Sequence, residues 1–360
     1  MEGEKILEKM EKTFYNPIIE KLPRNKLKEI QFKKLSIKLR QIFESSELLH
    51  KKFSDAKIKP EDIKSLEDIK KIPLISKSDV ERRVTDGDPF GGTLCVDFDS
   101  SIHVIGPKFP MADVPMYKPI TFDDLQWLIN AFTRYWVMIG INQGDRVLMN
   151  MPSTHIDQLL STATLIPKVT HGASERLKCL VLTNEGLLDL LIPRGLNTAN
   201  YFKPSTIFMP QSYIATFENA LNNLKLTPEN LQLKSIVLVD DKESLSLTDR
   251  KKWSEKFGIN IYSRISIIEN LFSATDCKEI NGLHAWEDLY IVESVDPESG
   301  EPVSMGETGK LTITNLFAEA APLIRFVTDV EVSLDDEVCE CGRTHIRIFP
   351  KKYEEMEGDD

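Results

Sequence analysis

Cysteine is scarce in this sequence and long apolar runs are missing, and each absence excludes a class of protein. The five cysteines among 360 residues are too few for the disulfide framework of a small secreted domain. A membrane-spanning helix needs about 18 consecutive apolar residues, and a candidate such as Gly186 to Ile192 is short and interrupted by Asp189. The N-terminus, Met1 to Ile6, is charged and lacks the apolar segment of a secretory signal. We therefore expect a cytoplasmic protein with reduced thiols.

Basic residues are too few for a general nucleic-acid-binding protein. The chain has 45 lysines and arginines against 56 aspartates and glutamates, a formal net charge of -11. Nucleic-acid binding requires a basic face that displaces counterions. The lysines before about Lys59 are interleaved with glutamates at helical spacing, which indicates a solvated helix face. The sequence therefore argues against nucleic-acid partners.

The spacing of apolar residues predicts an α/β protein with a helical N-terminal segment and an antiparallel C-terminal part. Residues 1–80 are expected to be mainly helical, and residues 81–275 to form an α/β core in which helices alternate with buried strands. Residues 276–350 show period-two alternation, which predicts a β lobe of antiparallel strands. Residues 351–360 are polar and are expected to form a frayed tail.

Individual elements of this alternation can be placed on the chain. Thr121 is expected to cap a helix from Phe122 to about Met138, because Leu125, Leu128, Phe132 and Trp136 form an apolar stripe there. The later elements are predicted as helices at Ile214–Leu224 and Leu247–Phe257, and as strands at Arg146–Met151, Ser205–Met209, Leu233–Val239, Ile259–Tyr262, Leu289–Val295 and Lys310–Thr314.

Several segments, in order along nearly the whole chain, resemble the phenylacetate–coenzyme A ligase branch of the adenylate-forming enzymes. No single segment is decisive, but the ordered collection is specific. The resemblance implies the fold of that family's large N-terminal α/β domain. The segments that carry it are Tyr15–Pro23, Lys59–Ile69, Ile72–Asp79, Asp88–Gly91, Trp286–Asp288, Pro322–Arg325 and Cys341–His345.

The phosphate-binding loop that the resemblance implies is not recognisable here. In the family, a loop rich in serine, threonine and glycine ends in a lysine and holds the phosphates. The corresponding residues 104–114 contain no hydroxyl side chain. Pro107 and Pro110 each remove a backbone N–H donor, Asp113 would repel phosphate, and Lys108 is the only cation. We therefore expect the grip on a triphosphate to be lost.

Further departures affect the other nucleotide contacts that the resemblance implies. The adenine-lining segment falls at residues 239–244, which lack its glycine. The magnesium-binding glutamate falls at Ile267, with Glu269 two positions later as a possible substitute. The ribose-binding aspartate corresponds to Asp329, one residue early, and Tyr213 matches a position at the edge of the substrate pocket. Asp329 and Tyr213 are therefore the candidate ligand-binding residues of a degenerate pocket.

Three cysteines and a histidine in the last quarter of the chain form a candidate metal site. Cys277 and His284 are separated by six residues, and Cys339 and Cys341 flank a single glutamate before a glycine. Three thiolates and one imidazole make a closed structural zinc set with no open position for catalysis. His345 is the rival to His284 as the fourth ligand, because it follows the second cysteine pair closely.

These departures favour a homologue that has lost ATP-dependent acid activation, so no catalytic residue is assigned. We expect no counterpart beyond about Pro350 to the family's C-terminal domain, which supplies a catalytic lysine, and such a chain would serve as a structural or regulatory subunit or as a binding protein. The alternative is an active carboxylate–coenzyme A ligase that uses ATP, magnesium and coenzyme A in a rebuilt nucleotide site. A third hypothesis is a sensor that retains an acyl or coenzyme A pocket.

The hypotheses on function also predict which partners the protein has. A non-catalytic homologue would associate with an enzyme or with itself, as a homodimer or heteromer, and an acyl group or coenzyme A is the candidate small-molecule ligand. Neither nucleic acid nor a membrane is expected as a partner.

Overall fold

The computed structural model of the chain describes residues 13–106, 114, 116–152, 155–162, 171–184, 192–240 and 246–351. Within these residues the strands form a two-stranded hairpin and an eleven-stranded mixed sheet. The strands are β1 His103–Ile105, β2 Lys118–Ile120, β3 Arg146–Asn150, β4 Leu180–Asn184, β5 Thr206–Pro210, β6 Ser235–Asp240, β7 Asn260–Ile267, β8 Phe272–Asp276, β9 Leu283–His284, β10 Tyr290–Val295, β11 Gly309–Asn315, β12 Phe326–Asp335 and β13 Arg347–Pro350.

Helices connect most of the parallel strands and form the N-terminal segment. The α-helices are α1 Pro17–Glu20, α2 Arg24–Ser45, α3 Glu47–Asp55, α4 Lys77–Thr85, α5 Phe122–Met138, α6 Ile156–Thr162, α7 Ala173–Leu177, α8 Ile192–Phe202, α9 Ile214–Leu224 and α10 Leu247–Phe257. Short 3-10 helices lie at Pro60–Asp62, Glu67–Lys71, Phe98–Ser100, Gln211–Tyr213 and Ile268–Asn270. No helix among the described residues is both long enough and apolar enough to cross a bilayer.

The large sheet has a parallel half and an antiparallel half. Its strand order is β10-β11-β12-β13-β9-β8-β7-β6-β5-β3-β4. Strands β4, β3, β5, β6 and β7 pair in parallel, and every pairing from β7 through β8 to β10 is antiparallel. In open α/β sheets, ligands bind outside the carboxyl ends of the parallel strands. That edge is therefore the first place to look for a site.

Apolar side chains on the two faces of the sheet pack into two separate clusters. On β6, Val237 belongs to the cluster that includes α5, whereas Ile236 and Leu238 belong to the cluster covered by α8 and α9. Alternate residues of a strand point to opposite faces, so each buried parallel strand supplies both clusters. Phe132 and Trp136 of α5 lie against one face, with ring centroids 6.0 and 5.8 Å from that of Phe208 on β5.

The start of α5 is fixed by a reciprocal cap that also holds a distant loop. The Thr121 hydroxyl accepts a hydrogen bond from the Asp124 amide at 3.1 Å, and the Asp124 carboxylate accepts one from the Thr121 amide at 3.0 Å. The same carboxylate accepts from the amides of Glu319 and Ala320 at 2.6 and 3.1 Å. The capping that the sequence predicted is confirmed, and it ties α5 to the loop after β11.

Most predicted elements are found within a few residues of their expected bounds. Helices α5, α9 and α10 have the predicted ranges, and the predicted antiparallel strands occur as β10 and β11. Strand β7 is longer than predicted and extends past Tyr262 to Ile267. The difference arises because its second half contains buried polar residues, of which Arg264 pairs with Asp157 and the Ser263 amide donates to Asp276. The proposed division into a core and a β lobe stays a prediction, since the sheet runs through both.

We predict that replacing Asp124 by alanine will destabilise the fold by about 2–4 kcal/mol, because three backbone donors lose a charged acceptor in a buried place. Chemical denaturation would measure the change in the free energy of unfolding. Asp123, the preceding residue, is exposed on the same helical turn. Its alanine variant is the matched control and should change stability by less than about 0.5 kcal/mol; equal effects of the two variants would contradict the assignment.

Candidate functional site

A cavity of about 550 Å³ opens at the carboxyl ends of the parallel strands. The last residues of β6 and residues at or just after the ends of β3, β5 and β7 contribute to it, and the first residues of β12 and the α4 helix form another part of the wall. This is the position that the strand order indicates for a ligand, and the volume is in the range of pockets for small organic molecules. Much of the lining is apolar, including Val80, Phe90, Met116, Met151, Ile267 and Phe326.

Carboxylates supply most of the charge on the described lining. Asp240 at the end of β6, Glu269 in the turn after β7, and Asp329 in β12 all line the cavity. The structure therefore brings together Glu269 and Asp329, which the resemblance relates to magnesium and ribose binding. Ile267, at the position implied for the magnesium-binding glutamate, lines the same cavity.

The turn that carries Glu269 is fixed by hydrogen bonds of the next residue, Asn270. The side chain of Asn270 is fully buried, donates to the carbonyl of Ile313 at 2.9 Å and accepts from the amide of Leu323 at 3.2 Å. The next residue, Leu271, adopts a left-handed conformation with φ of 51°. These contacts end β7 and turn the chain back into β8, so Glu269 stays at the cavity wall.

Tyr213, the other predicted pocket residue, lies to one side of the described cavity. Its side chain packs against the apolar cluster formed with α8 and α9. The preceding residues Gln211 and Ser212 line the cavity instead. The assignment of Tyr213 as a ligand contact stays a prediction. Lys108 and the rest of residues 107–113, as well as residues 241–244, lie outside the described part of the chain.

Lys118 is a lining residue that the sequence reasoning missed. It begins β2, where it pairs with Ile105 of β1, and only 5% of the residue is exposed. Burial lowers the pKa of its ammonium group to about 8, although the nearby Cys95, Asp124 and Glu269 act in the opposite direction. Its Nζ has no hydrogen bond or ion pair with any described residue. A single lysine in a three-residue strand gives no sequence pattern that distinguishes it from a surface lysine.

A second constellation lies at the far end of β8, where four metal-ligating side chains converge. The ligand atoms of Cys277, His284, Cys339 and Cys341 all lie within 4.8 Å of one another. Cys277 Sγ and Cys339 Sγ are 3.8 Å apart, and Cys341 Sγ is 3.5 Å from His284 Nε2. A tetrahedral ion with Zn–S bonds of about 2.3 Å and a Zn–N bond of about 2.0 Å would separate these pairs by roughly 3.8 and 3.5 Å. The geometry therefore fits such an ion.

The cluster is preorganised by its backbone. Cys277 follows β8, His284 lies on β9, and the turn after β12 carries Cys339 and Cys341. The Gly342 amide donates to the Cys339 carbonyl at 2.8 Å, and Gly342 has φ of 81°, which favours glycine. Hydrogen bonds from Cys277 and Cys339 lower the pKa of the Cys341 thiol. One thiolate is thereby favoured even without an ion.

His345, the rival fourth ligand, points elsewhere. Its Nδ1 accepts from the Glu287 amide at 2.9 Å and its Nε2 lies 3.0 Å from the carbonyl of Ile19, which accepts its proton. Burial lowers the pKa of this imidazole to about 3, so it stays neutral. Both ring nitrogens are occupied by the protein, and His284 is the histidine that joins the cysteines.

Comparisons with known proteins give a consistent set of relatives, although no family model matches the chain. A phenylacetate-coenzyme A ligase of Thermus thermophilus is 29% identical over 339 residues, which are 93% of this chain and 72% of that protein. One of Pseudomonas putida is 25% identical over 306 residues, 84% of this chain and 65% of its own length. A solved 2-hydroxyisobutyryl-CoA ligase, in complex with 2-HIB-AMP and CoA, aligns with 94% of this chain and 71% of its own, with a TM-score of 0.84 and 22% identity.

We predict that Lys118→Met will raise the free energy of unfolding at pH 7 by about 2–3 kcal/mol, because it removes a buried charge that has no ion-pair partner among the described residues. Lys118 has a pKa of about 8 when folded and 10.5 when unfolded. Between these values the unfolded chain binds more protons, so wild-type stability rises with pH. The difference from the variant should therefore shrink from pH 8 to 10.5. Denaturation across this range checks it, and a variant less stable than wild type at pH 7 would contradict it.

Proposed function

We propose that the chain, which is a homologue of the phenylacetate–coenzyme A ligases with the fold of the adenylate-forming enzymes, binds a small acyl or aryl acid without activating it with ATP. The observation that carries this proposal is the largely apolar 550 Å³ cavity, whose described lining has three carboxylates and a single buried cation, Lys118. Such a lining suits an apolar body with one anionic group. It suits a triphosphate poorly, because like charges repel across a site that is partly shielded from water.

The amino-acid sequence also supports the loss of activation. Residues 104–114 offer no hydroxyl donor, and two prolines remove backbone donors. Removing one preorganised donor from a transition state typically costs about 3 kcal/mol, roughly a factor of 100 in rate. Several such losses together would leave little acid activation to measure. A non-catalytic homologue would then act as a regulatory or structural subunit, or as a binding protein in its own right.

An active carboxylate–coenzyme A ligase is the second candidate, and one observation favours it. Glu269 and Asp329 line the same cavity, so two carboxylates stand near the places where the family would hold magnesium and ribose. In that case ATP, magnesium and coenzyme A would be cosubstrates. Because the chain spans 65% of the Pseudomonas relative and 72% of the Thermus relative, the relatives' full reaction comes to this chain only as a hypothesis.

The metal cluster has a separate role in this proposal. Four protein ligands at tetrahedral spacing leave no open position, so we assign them a structural zinc ion rather than a catalytic one. The cluster stands beside the N-terminal segment, where Arg343 Nε donates to Glu20 at 3.0 Å and its guanidinium lies over the ring of Phe14, 4.6 Å from the centroid. Zinc would therefore fix the turn that carries Cys339 and Cys341 and, through Arg343, the segment from Phe14 to Glu20.

Calorimetry with ATP and magnesium separates the two functions. We expect no binding at concentrations up to the millimolar range, and no phenylacetate-dependent release of pyrophosphate, because the described cavity lacks a phosphate-binding set. The Thermus phenylacetate-coenzyme A ligase, assayed in parallel, is the positive control. Micromolar ATP binding that Glu269→Gln abolishes would instead establish the ligase.

Elemental analysis tests the metal assignment. We expect about one zinc per chain as purified, with a chelator removing it and lowering the melting temperature, since the ion binds only the folded state. Cys339→Ser should reduce the zinc content well below one. Cys179→Ser is the matched control, because Cys179 lies outside the cluster and its loss should leave zinc unchanged. A folded, stable protein without any bound metal would refute the assignment.

A further inference from the structure

The buried ammonium of Lys118 is the most unusual group in the cavity. A charge that is removed from water is costly unless it is paired or hydrogen-bonded. Lys118 is 5% exposed, lines the cavity, and has no hydrogen bond or ion pair with any residue in the described ranges. Buried Lys38 and half-buried Lys34 differ in this respect, because Lys38 donates to the Ala318 carbonyl and Lys34 to the Asp288 carbonyl, at 2.6 and 2.7 Å. Lys118 alone among these three faces an open space.

The charged neighbours of Lys118 do not neutralise it by contact. The carboxylate of Asp124 already accepts the amides of Thr121, Glu319 and Ala320. Burial raises the pKa of the Cys95 thiol to about 11, so this neighbour is uncharged at neutral pH. Glu269 is near enough to influence the lysine without forming an ion pair with it. The remaining charged or titratable residues on the described lining are Lys77, Tyr117, His155, Asp240 and Asp329.

We propose that Lys118 is the anion-binding group of this cavity, and that its ammonium receives the carboxylate of a small organic monoanion. The apolar body of the ligand would lie against Met116, Met151 and Phe326, which line the same space. This assignment rests on the proposed function, in which a small acid binds in this cavity. The residue belongs to β2 and follows residues 104–114, to which the resemblance assigns the phosphate-binding loop. Lys118 would therefore bind an anion from a position outside the one that the family's phosphate-binding loop occupies in the sequence.

The other charges on the lining narrow the ligand class. Asp240, Glu269 and Asp329 share the cavity with Lys118. A second anionic group would meet these carboxylates and would be disfavoured by like-charge repulsion. The cavity should therefore prefer a monocarboxylate with an apolar body over a dicarboxylate or a nucleotide. Phenylacetate is a suitable probe, and phenylacetamide is its uncharged counterpart of nearly equal shape.

Titration calorimetry with these two probes tests the proposal. Phenylacetate should bind the wild-type protein more tightly than phenylacetamide at pH 7. Lys118→Met should weaken phenylacetate binding by about ten- to a hundredfold, the effect of losing a hydrogen bond to a charged group, and should leave phenylacetamide binding nearly unchanged. Lys34→Met is the matched control. Lys34 also has a pKa lowered by burial but does not line the cavity, so this variant should bind both probes as wild type does.

The pH profile supplies a signature that a merely structural lysine would not give. Phenylacetate remains ionised from pH 6 to 10, whereas Lys118 loses its proton near pH 8. Binding by the wild type should therefore be constant below pH 8 and weaken about tenfold for each pH unit above it. Lys118→Arg keeps the charge throughout and should abolish this dependence. Phenylacetate binding by the Lys118→Arg variant at pH 10 tests the proposal independently of the methionine variant.

Three results would overturn the proposal. Equal affinity for the acid and the amide would show that the cavity binds ligands without using a cation, and only the Lys118 assignment would fail. AMP binding that requires Lys118, without acid binding, would assign the lysine to phosphate instead. Binding of neither acid nor amide would remove both the Lys118 assignment and the proposed function.

Discussion

The turn at Ile268–Asn270 is the constraint on which both sites depend. It follows the last parallel strand and precedes the first antiparallel one, so the character of the sheet changes there. Buried Asn270 fixes the turn by contacts with Ile313 and Leu323, which belong to the antiparallel half. One result is that Glu269 stands at the cavity wall. The other is that β8 leads away from the turn to Cys277, which follows its last residue and belongs to the metal cluster. The spacing of the two sites is therefore set by one short strand.

Much of the fold could be predicted from the sequence because its helices carry two independent signals. For α5, the Thr121 cap and the apolar stripe inside Phe122–Met138 agree, and the helix is found where both place it. Strand β7 shows where this reasoning fails. Its second half buries Arg264 and Ser266. The guanidinium of Arg264 is stabilised there by Asp157, more than one hundred residues earlier, and by Thr275 on β8. A long-range pair of this kind leaves no periodic signal in either segment.

The two sites also differ in how far the sequence could predict them. The metal cluster was accessible to sequence reasoning because thiols and imidazoles are rare here, and Cys339 and Cys341 share one turn. The choice of His284 over His345 required coordinates, since both are buried and close in sequence to cysteines. Lys118 was invisible for the opposite reason. Lysine is among the commonest residues of this chain, and only the β1–β2 hairpin reveals that this one is buried against a cavity.

The energetics of Lys118 argue against a purely architectural role for the cavity. A protein that needed only the framework could fill this position with an apolar side chain of similar length and would gain stability, because a buried ammonium without an ion-pair partner in the described part of the chain costs folding free energy. The cavity of about 550 Å³ beside it is of a size that suits a small organic ligand. The cost of burying the ammonium is understandable if a ligand in this cavity supplies a counter-charge. A bound monoanion would do so, and its pairing with Lys118 would contribute to its affinity.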